Sequence, residues 1–148
     1  VLLERKYGSA WLAPSGSSYV GLLHEDAGAD YIFKGCTTGE ITPLSPETVL
    51  DEACNADFWL FKYSSERLFS YHDLEEEYPQ YAQFDAFRNG NVYVCNTLKT
   101  TYYDDITLHP DLILEDLIAL YHPDLLPSHT FRYYFPLSGG GPRGNEKQ

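Results

Sequence analysis

The spacing of apolar residues changes several times along the chain, and each change marks an element. Residues 1–4 open on a short apolar run that fits a buried strand, followed by a loop of small and aromatic residues from Tyr7 to Gly16. Ser17 or Ser18 then caps a helix whose apolar positions Tyr19, Leu22, Leu23 and Ala27 keep helical spacing, and Gly28 ends it as a left-handed residue. Residues 30–33 read as a second strand. Ser45-Pro46-Glu47-Thr48 is a strong helix start, with a serine cap, proline at the first helical position and an acid in the first turn. That helix buries Val49, Leu50 and Ala53 and gives way to a strand at 57–61. Residues 65–88 read as helical pieces broken near Pro79. A turn at Arg88-Asn89-Gly90-Asn91 leads to a fourth strand at 92–95, a long helix from Pro110 to about Tyr121 and a last strand at 131–135.

Strands alternating with helices predict a three-layer α/β/α sandwich with a mostly parallel central sheet. One such unit spans 1–137, and the Gly-rich, polar stretch 138–148 reads as a disordered tail. A chain of 148 residues with 43% hydrophobic content can bury a sizeable core. It has no Met and opens directly on a strand-like run, so it reads as trimmed, with any targeting segment removed.

Charge and chemistry narrow the functions. A formal net charge of -12 argues against nucleic acid and anionic membrane as partners. Cys36, Cys54 and Cys95 show no metal spacing, leaving open one disulfide with a free thiol or three thiols. The repeat His109-Pro110-Asp111-Leu112 and His122-Pro123-Asp124-Leu125 suggests paired metal ligands. A helix about 20 Å long separates the two histidines, however, so the prolines are helix punctuation. Its buried face is read as Leu112, Leu114, Leu117, Ile118 and Tyr121, with Glu115 and Asp116 facing water. No metal or cofactor is expected.

Six of the ten cations (Arg5, Lys6, Lys34, Lys62, Arg67 and Lys99) fall at or after predicted strand ends, and so on one rim of a parallel sheet. Tyr7, Trp11, Tyr63, Tyr102 and Tyr103 share it. Together they suggest a site for an anionic small molecule. Pro14 to Tyr19 offers backbone N–H groups at a helix start, as an anion cradle or as an ordinary cap. An enzyme would need Asp104 and Asp105 to meet His72 or His24; no nucleophile pattern declares itself.

The stretch 11–33 resembles the tryptophan, proline, glycine, serine-tyrosine and alanine-glycine-alanine-aspartate-tyrosine run of class III periplasmic substrate-binding proteins. Residues 45–61 and 84–96 are similar to the segments that follow, and 109–135 resembles the closing helix and strand in the style of Bacteroidetes members. The resemblance implies the C-terminal lobe of a two-lobe ABC importer subunit. Such a protein is periplasmic, commonly lipid-anchored, and passes a ferric siderophore, haem or cobalamin to an inner-membrane permease. The N-terminal lobe is then a missing partner. Carried over residue by residue, Trp11, Gly16 and Ser18 fall on the first cleft loop, Lys62 and Tyr63 follow the third strand, Asn96 and Tyr102–Asp104 follow the fourth, and Glu47 docks the permease. With Tyr7 of the aromatic rim and Ser15, which stands where relatives often have glycine, the expected ligand side is Tyr7, Trp11, Ser15, Gly16, Ser18, Lys62, Tyr63, Asn96, Tyr102 and Tyr103. The departure at Thr100–Pro110, where relatives carry a Gly-Gly and Asp-Tyr-Trp-Glu-like segment, leaves ligand identity open. The rival readings are a protein-interaction module on the same fold and a hydrolase using Asp104 and Asp105.

Overall fold

In the segment Trp-Leu-Phe-Lys-Tyr at 59–63, four of the five side chains are buried, so this strand must be covered on both faces. The computed structural model, which describes residues 1–138, shows how. The strand is β5 (Trp59–Tyr63), central in a four-stranded sheet of order β1-β5-β6-β7, with β1 at Leu2–Leu3, β6 at Val92–Asn96 and β7 at Phe135–Pro136. β1, β5 and β6 run parallel and β7 antiparallel. Side chains alternate across a strand, so Trp59, Phe61 and Tyr63 point one way, and Phe58, Leu60 and Lys62 the other.

Two helical groups meet those two faces. Phe58 reaches Tyr121 of α6 (Pro110–Tyr121), with ring centroids 5.4 Å apart, and α6 packs on α1 (Tyr19–Asp26) and α5 (Tyr102–Leu108). On the other face Trp59 lies 5.0 Å from Tyr81 and 5.2 Å from Phe84. Tyr81 belongs to a 3-10 turn (Pro79–Gln83) that receives α2 (Pro46–Ala53), α3 (Tyr71–Glu77) and α4 (Asp85–Asn89). The three-layer arrangement is therefore the one the alternation predicts.

Local signals place most ends. Ser18 and Ser45 accept from the backbone N–H of Gly21 and Thr48. Ser70 and Asp73 close a reciprocal capping box on α3. Gly28 takes φ 85°, and a Cβ there would sit 2.6 Å from Nε2 of His122, so the stop of α1 is both a left-handed turn and a close approach.

Four expectations fail. Residues 30–33 are not a strand: Ile32 donates to the Val1 carbonyl at 3.1 Å, after which the chain turns over 32–35 along the sheet edge. The loop from Tyr7 to Gly16 instead holds β2 (Lys6–Tyr7) and β3 (Ala10–Pro14), which join β4 (Ile41–Leu44) in an antiparallel three-stranded sheet. The inward face of β3 carries Trp11 and Ala13, both buried; such a short ribbon gives no long alternation to read. In α1, Tyr19 and Leu22 are half exposed while Leu23, His24 and Ala27 are buried. In α6 Leu117 and Tyr121 are buried as predicted, but Ile113, Asp116 and Leu120 complete the buried stripe in place of Leu112, Leu114 and Ile118, and Asp116 is fully enclosed.

The predicted strand at 131–135 shrinks to β7 because the Asp116 carboxylate takes the backbone before it. Its oxygens accept from the N–H groups of Arg132 at 3.1 Å, Tyr133 at 2.7 Å and Tyr134 at 3.2 Å, and contact Nε2 of His129 at 2.6 Å. Ser138 bridges to Ser70; the rest of the predicted tail, 139–148, lies outside the described residues. The three cysteines are free thiols.

Candidate functional site

Because β1, β5 and β6 are parallel, their carboxyl ends share one edge, and the segments leaving it begin at Glu4, Tyr63 and Asn96. Ligands of open α/β sheets bind at such an edge. A shallow depression of about 180 Å³ lies there, lined by Glu4, Arg5, Lys6, Tyr7, Leu12 and Lys62. Larger hollows lie elsewhere. One of about 350 Å³ sits at the opposite ends of the strands beside Val1, Asp57 and His122, and another of about 450 Å³ lies between α1 and α6. Neither receives residues from the carboxyl edge.

Glu4 is the residue that makes the edge. Its φ is 67°, uncommon for a long side chain and costing on the order of 1–2 kcal/mol. Two hydrogen bonds hold it there: its N–H donates to the Leu60 carbonyl at 2.8 Å, and its carbonyl accepts from Trp59 Nε1 at 2.6 Å. The twist turns the chain out of β1 into β2 and lays the Glu4 carboxylate 2.7 Å from Lys62 Nζ. Lys62 is largely enclosed and sits 5.5 Å from the Tyr102 ring centroid. Burial pulls its pKa down, but attraction from Glu4 and a hydrogen bond to it raise it above the ordinary lysine value.

The cation rim is not a free positive field. Arg5 pairs with Glu77 and lies against the rings of Phe61 and Phe69; Lys34 pairs with Asp30 at 2.7 Å, and Lys99 with Glu66 at 2.6 Å. Arg67 grips both oxygens of Asp73 at 3.1 Å and lowers that carboxyl's pKa. Lys6 donates to the Gly8 carbonyl at 2.6 Å and sits over Tyr78. The acidic run 73–77 thus contributes two of these partners, Asp73 and Glu77.

The residues singled out from the sequence divide sharply. Trp11 is fully buried, donating from Nε1 to the Leu3 carbonyl at 3.0 Å. Ser15 is buried and meets Thr42 Oγ1 at 3.1 Å; Ser18 is spent on its cap. Gly16 is buried under Lys34, whose carbonyl would be 2.0 Å from a Cβ. The N–H groups of Ser15, Gly16 and Ser18 all bond to backbone carbonyls, so the cradle is an ordinary capped helix start. Tyr63 and Tyr102 are core residues. Asn96 is a clamp: Oδ1 accepts from Ser65 and Leu98 N–H at 3.3 and 3.1 Å, and Nδ2 donates to the Ser65 carbonyl at 2.7 Å. Tyr7 and Tyr103 remain well exposed, at 78% and 63%. Leu12, Leu68 and Leu98, exposed on the same set of segments, were not expected; their solvent-facing apolar character was the available signal. Glu47 is exposed in the first turn of α2.

The carboxylates and histidines considered for catalysis do not converge. Asp104 is exposed, while Asp105 accepts from the hydroxyls of Thr101 at 2.7 Å and Tyr133 at 2.6 Å. His24 is buried on Tyr121, and His72 faces solvent beside Glu76. Among the described residues no group of three metal-ligating side chains gathers, and no helix is long and apolar enough to cross a membrane.

A mostly parallel sheet covered by helices on both faces defines a three-layer α/β domain, and the sequence comparison places it in a family. Residues 1–97 match the family described as periplasmic binding protein, and the chain belongs to that family. An uncharacterized lipoprotein of Methanocaldococcus jannaschii is 28% identical over 131 residues, covering 86% of this chain and 30% of the relative. The chain therefore spans about a third of that relative's length.

Proposed function

We propose that the chain is the C-terminal lobe of a periplasmic, lipid-anchored solute-binding protein that delivers a metal chelate to an ABC importer in the inner membrane. The chelate is of the ferric siderophore, haem or cobalamin kind. The carrying observation is the depression at the carboxyl edge. At about 180 Å³ it lies below the roughly 300–1,000 Å³ of a complete small-molecule pocket, so it reads as one wall of a cleft. The family match and the short share of the lipoprotein relative support a second wall supplied by an N-terminal lobe. The function is capture: Tyr7, Leu12 and Tyr103 contact the ligand, Glu4, Lys62 and Asn96 shape the wall, and Glu47 meets the permease.

The test is an amide-resolved NMR titration of the 148-residue chain with cyanocobalamin, haemin and a ferric siderophore at millimolar concentration. Shifts confined to the segments after β1, β5 and β6 are expected with at least one of them. Shifts only in the hollow beside His122, or none, would refute the assignment.

A further inference from the structure

The sequence alone points to an anionic ligand, drawn to a rim of cations. The structure weakens that attraction. Lys34 pairs with Asp30 beside Val1, at the other end of the sheet. Of the five cations left at the edge, four are paired with carboxylates of the same chain, and Lys6 is held on a carbonyl. Lys62 and Arg5, which line the depression, expose only 15% and 25% of their side chains. An anionic ligand would have to displace Glu4 or Glu77 from a partly buried pair, leaving a carboxylate without its cation. It would also approach a chain with a formal net charge of -12. Beside the exposed ionic groups Glu66, Arg67, Lys99 and Asp104, the edge leaves open an apolar and aromatic set: Tyr7, Leu12, Leu68, Leu98 and Tyr103.

We infer that this wall takes an electroneutral, apolar face of its ligand and discriminates against polyanionic chelates. The inference rests on the solute-binding reading and narrows it. Glu4 acts as the internal counter-ion that occupies Lys62, held on target by its left-handed backbone, and Glu77 does the same for Arg5.

Two probes of opposite charge character decide it: cyanocobalamin, with no net charge, and a trianionic ferric tris-catecholate. Each is titrated into the isotope-labelled chain at about 20 and about 300 mM NaCl, a span over which screening separates charge-driven from apolar binding. Cyanocobalamin is expected to shift the amides of Tyr7, Leu12, Leu98 and Tyr103 with an affinity that salt changes less than about twofold. The tris-catecholate is expected to bind at least about tenfold more weakly. Glu4→Gln, which frees Lys62, is expected to strengthen tris-catecholate binding about fivefold or more at low salt; Glu77→Gln, which frees Arg5, makes the same test at a more exposed position. Tighter, salt-sensitive tris-catecholate binding to the unmodified chain overturns the electroneutral assignment and leaves solute binding standing. So does an absence of gain in a folded Glu4→Gln or Glu77→Gln chain. Failure of both probes to move the edge amides overturns the two readings together.

Discussion

Replacing Asp116 by Asn changes one atom in the middle of α6 and is expected to be among the most damaging polar substitutions in the chain. The carboxylate is fully buried, and both oxygens are used. Oδ1 meets His129 Nε2 at 2.6 Å and Arg132 N–H at 3.1 Å; Oδ2 accepts from Tyr133 at 2.7 Å, from Tyr134 at 3.2 Å and from Arg132 at 3.2 Å. An amide presents a single acceptor: kept on the Oδ2 side it retains the three backbone N–H groups, and its NH₂ then replaces the oxygen that met His129 and shared the Arg132 N–H. Losing that buried, charge-assisted contact costs about 2 kcal/mol. For a domain of this size that is a fall in Tm of roughly 5 °C. Urea unfolding followed by circular dichroism measures the loss, and hydrogen exchange at residues 132–134 locates it. The neighbouring Glu115→Gln is the control. Glu115 is half exposed with one 3.4 Å contact to Arg132, so a change within about 0.5 kcal/mol is expected. If Asp116→Asn lowers stability by less than about 1 kcal/mol, or exchange at 132–134 is unchanged, the carboxylate does not organise the approach to β7.

Three further outcomes are expected. His24 is buried with its pKa lowered from 6.5 to about 3, chiefly by desolvation. An unfolded chain therefore takes up a proton that the folded one refuses, and stability falls as pH drops from 6.5 toward 3, by about 1.4 kcal/mol per unit; equal urea-midpoint slopes between pH 7 and 5 in His24→Gln and the parent would contradict this. Gly16→Ala drives a Cβ against the Lys34 carbonyl and should cost about 2 kcal/mol or more, whereas Gly35→Ala, with open space around its Cβ, should be neutral or slightly stabilising by thermal melting. Asn96→Ala removes two hydrogen bonds to Ser65 in the segment after β5 and one from Leu98 in the turn after β6; a stability loss of about 1–3 kcal/mol with faster amide exchange at Ser65 and Leu98 is expected, and unchanged exchange there would remove the clamp.

Elements whose cause lies within a few residues were legible in the chain. The caps at Ser18 and Ser45, the proline opening α6, the left-handed stop at Gly28 and the doubly buried β5 each follow from local chemistry, and the parallel three-layer fold follows from their order. The ribbon of β2, β3 and β4 was not, because two- to five-residue strands carry too little alternation to separate from a loop. Asp116 left a signal that went unread: it lies on the same helical stripe as Ile113, Leu117 and Leu120, where an acid must have a partner.

The site was less legible than the fold for a physical reason. A cation's position along the chain shows that it lies near the carboxyl edge; its charge there depends on a partner far away in sequence. Glu4 and Lys62 are 58 residues apart, and Arg5 and Glu77 are 72. Trp11 and Tyr102 likewise sit at positions that suggest ligand contact, yet packing across the sheet encloses them. Local patterning along the chain set most of the helices, the parallel strands, their order and the edge at which they converge. Tertiary structure alone decided which of the residues at that edge remain free to touch a ligand, because burial and ion pairing are properties of segments brought together by folding.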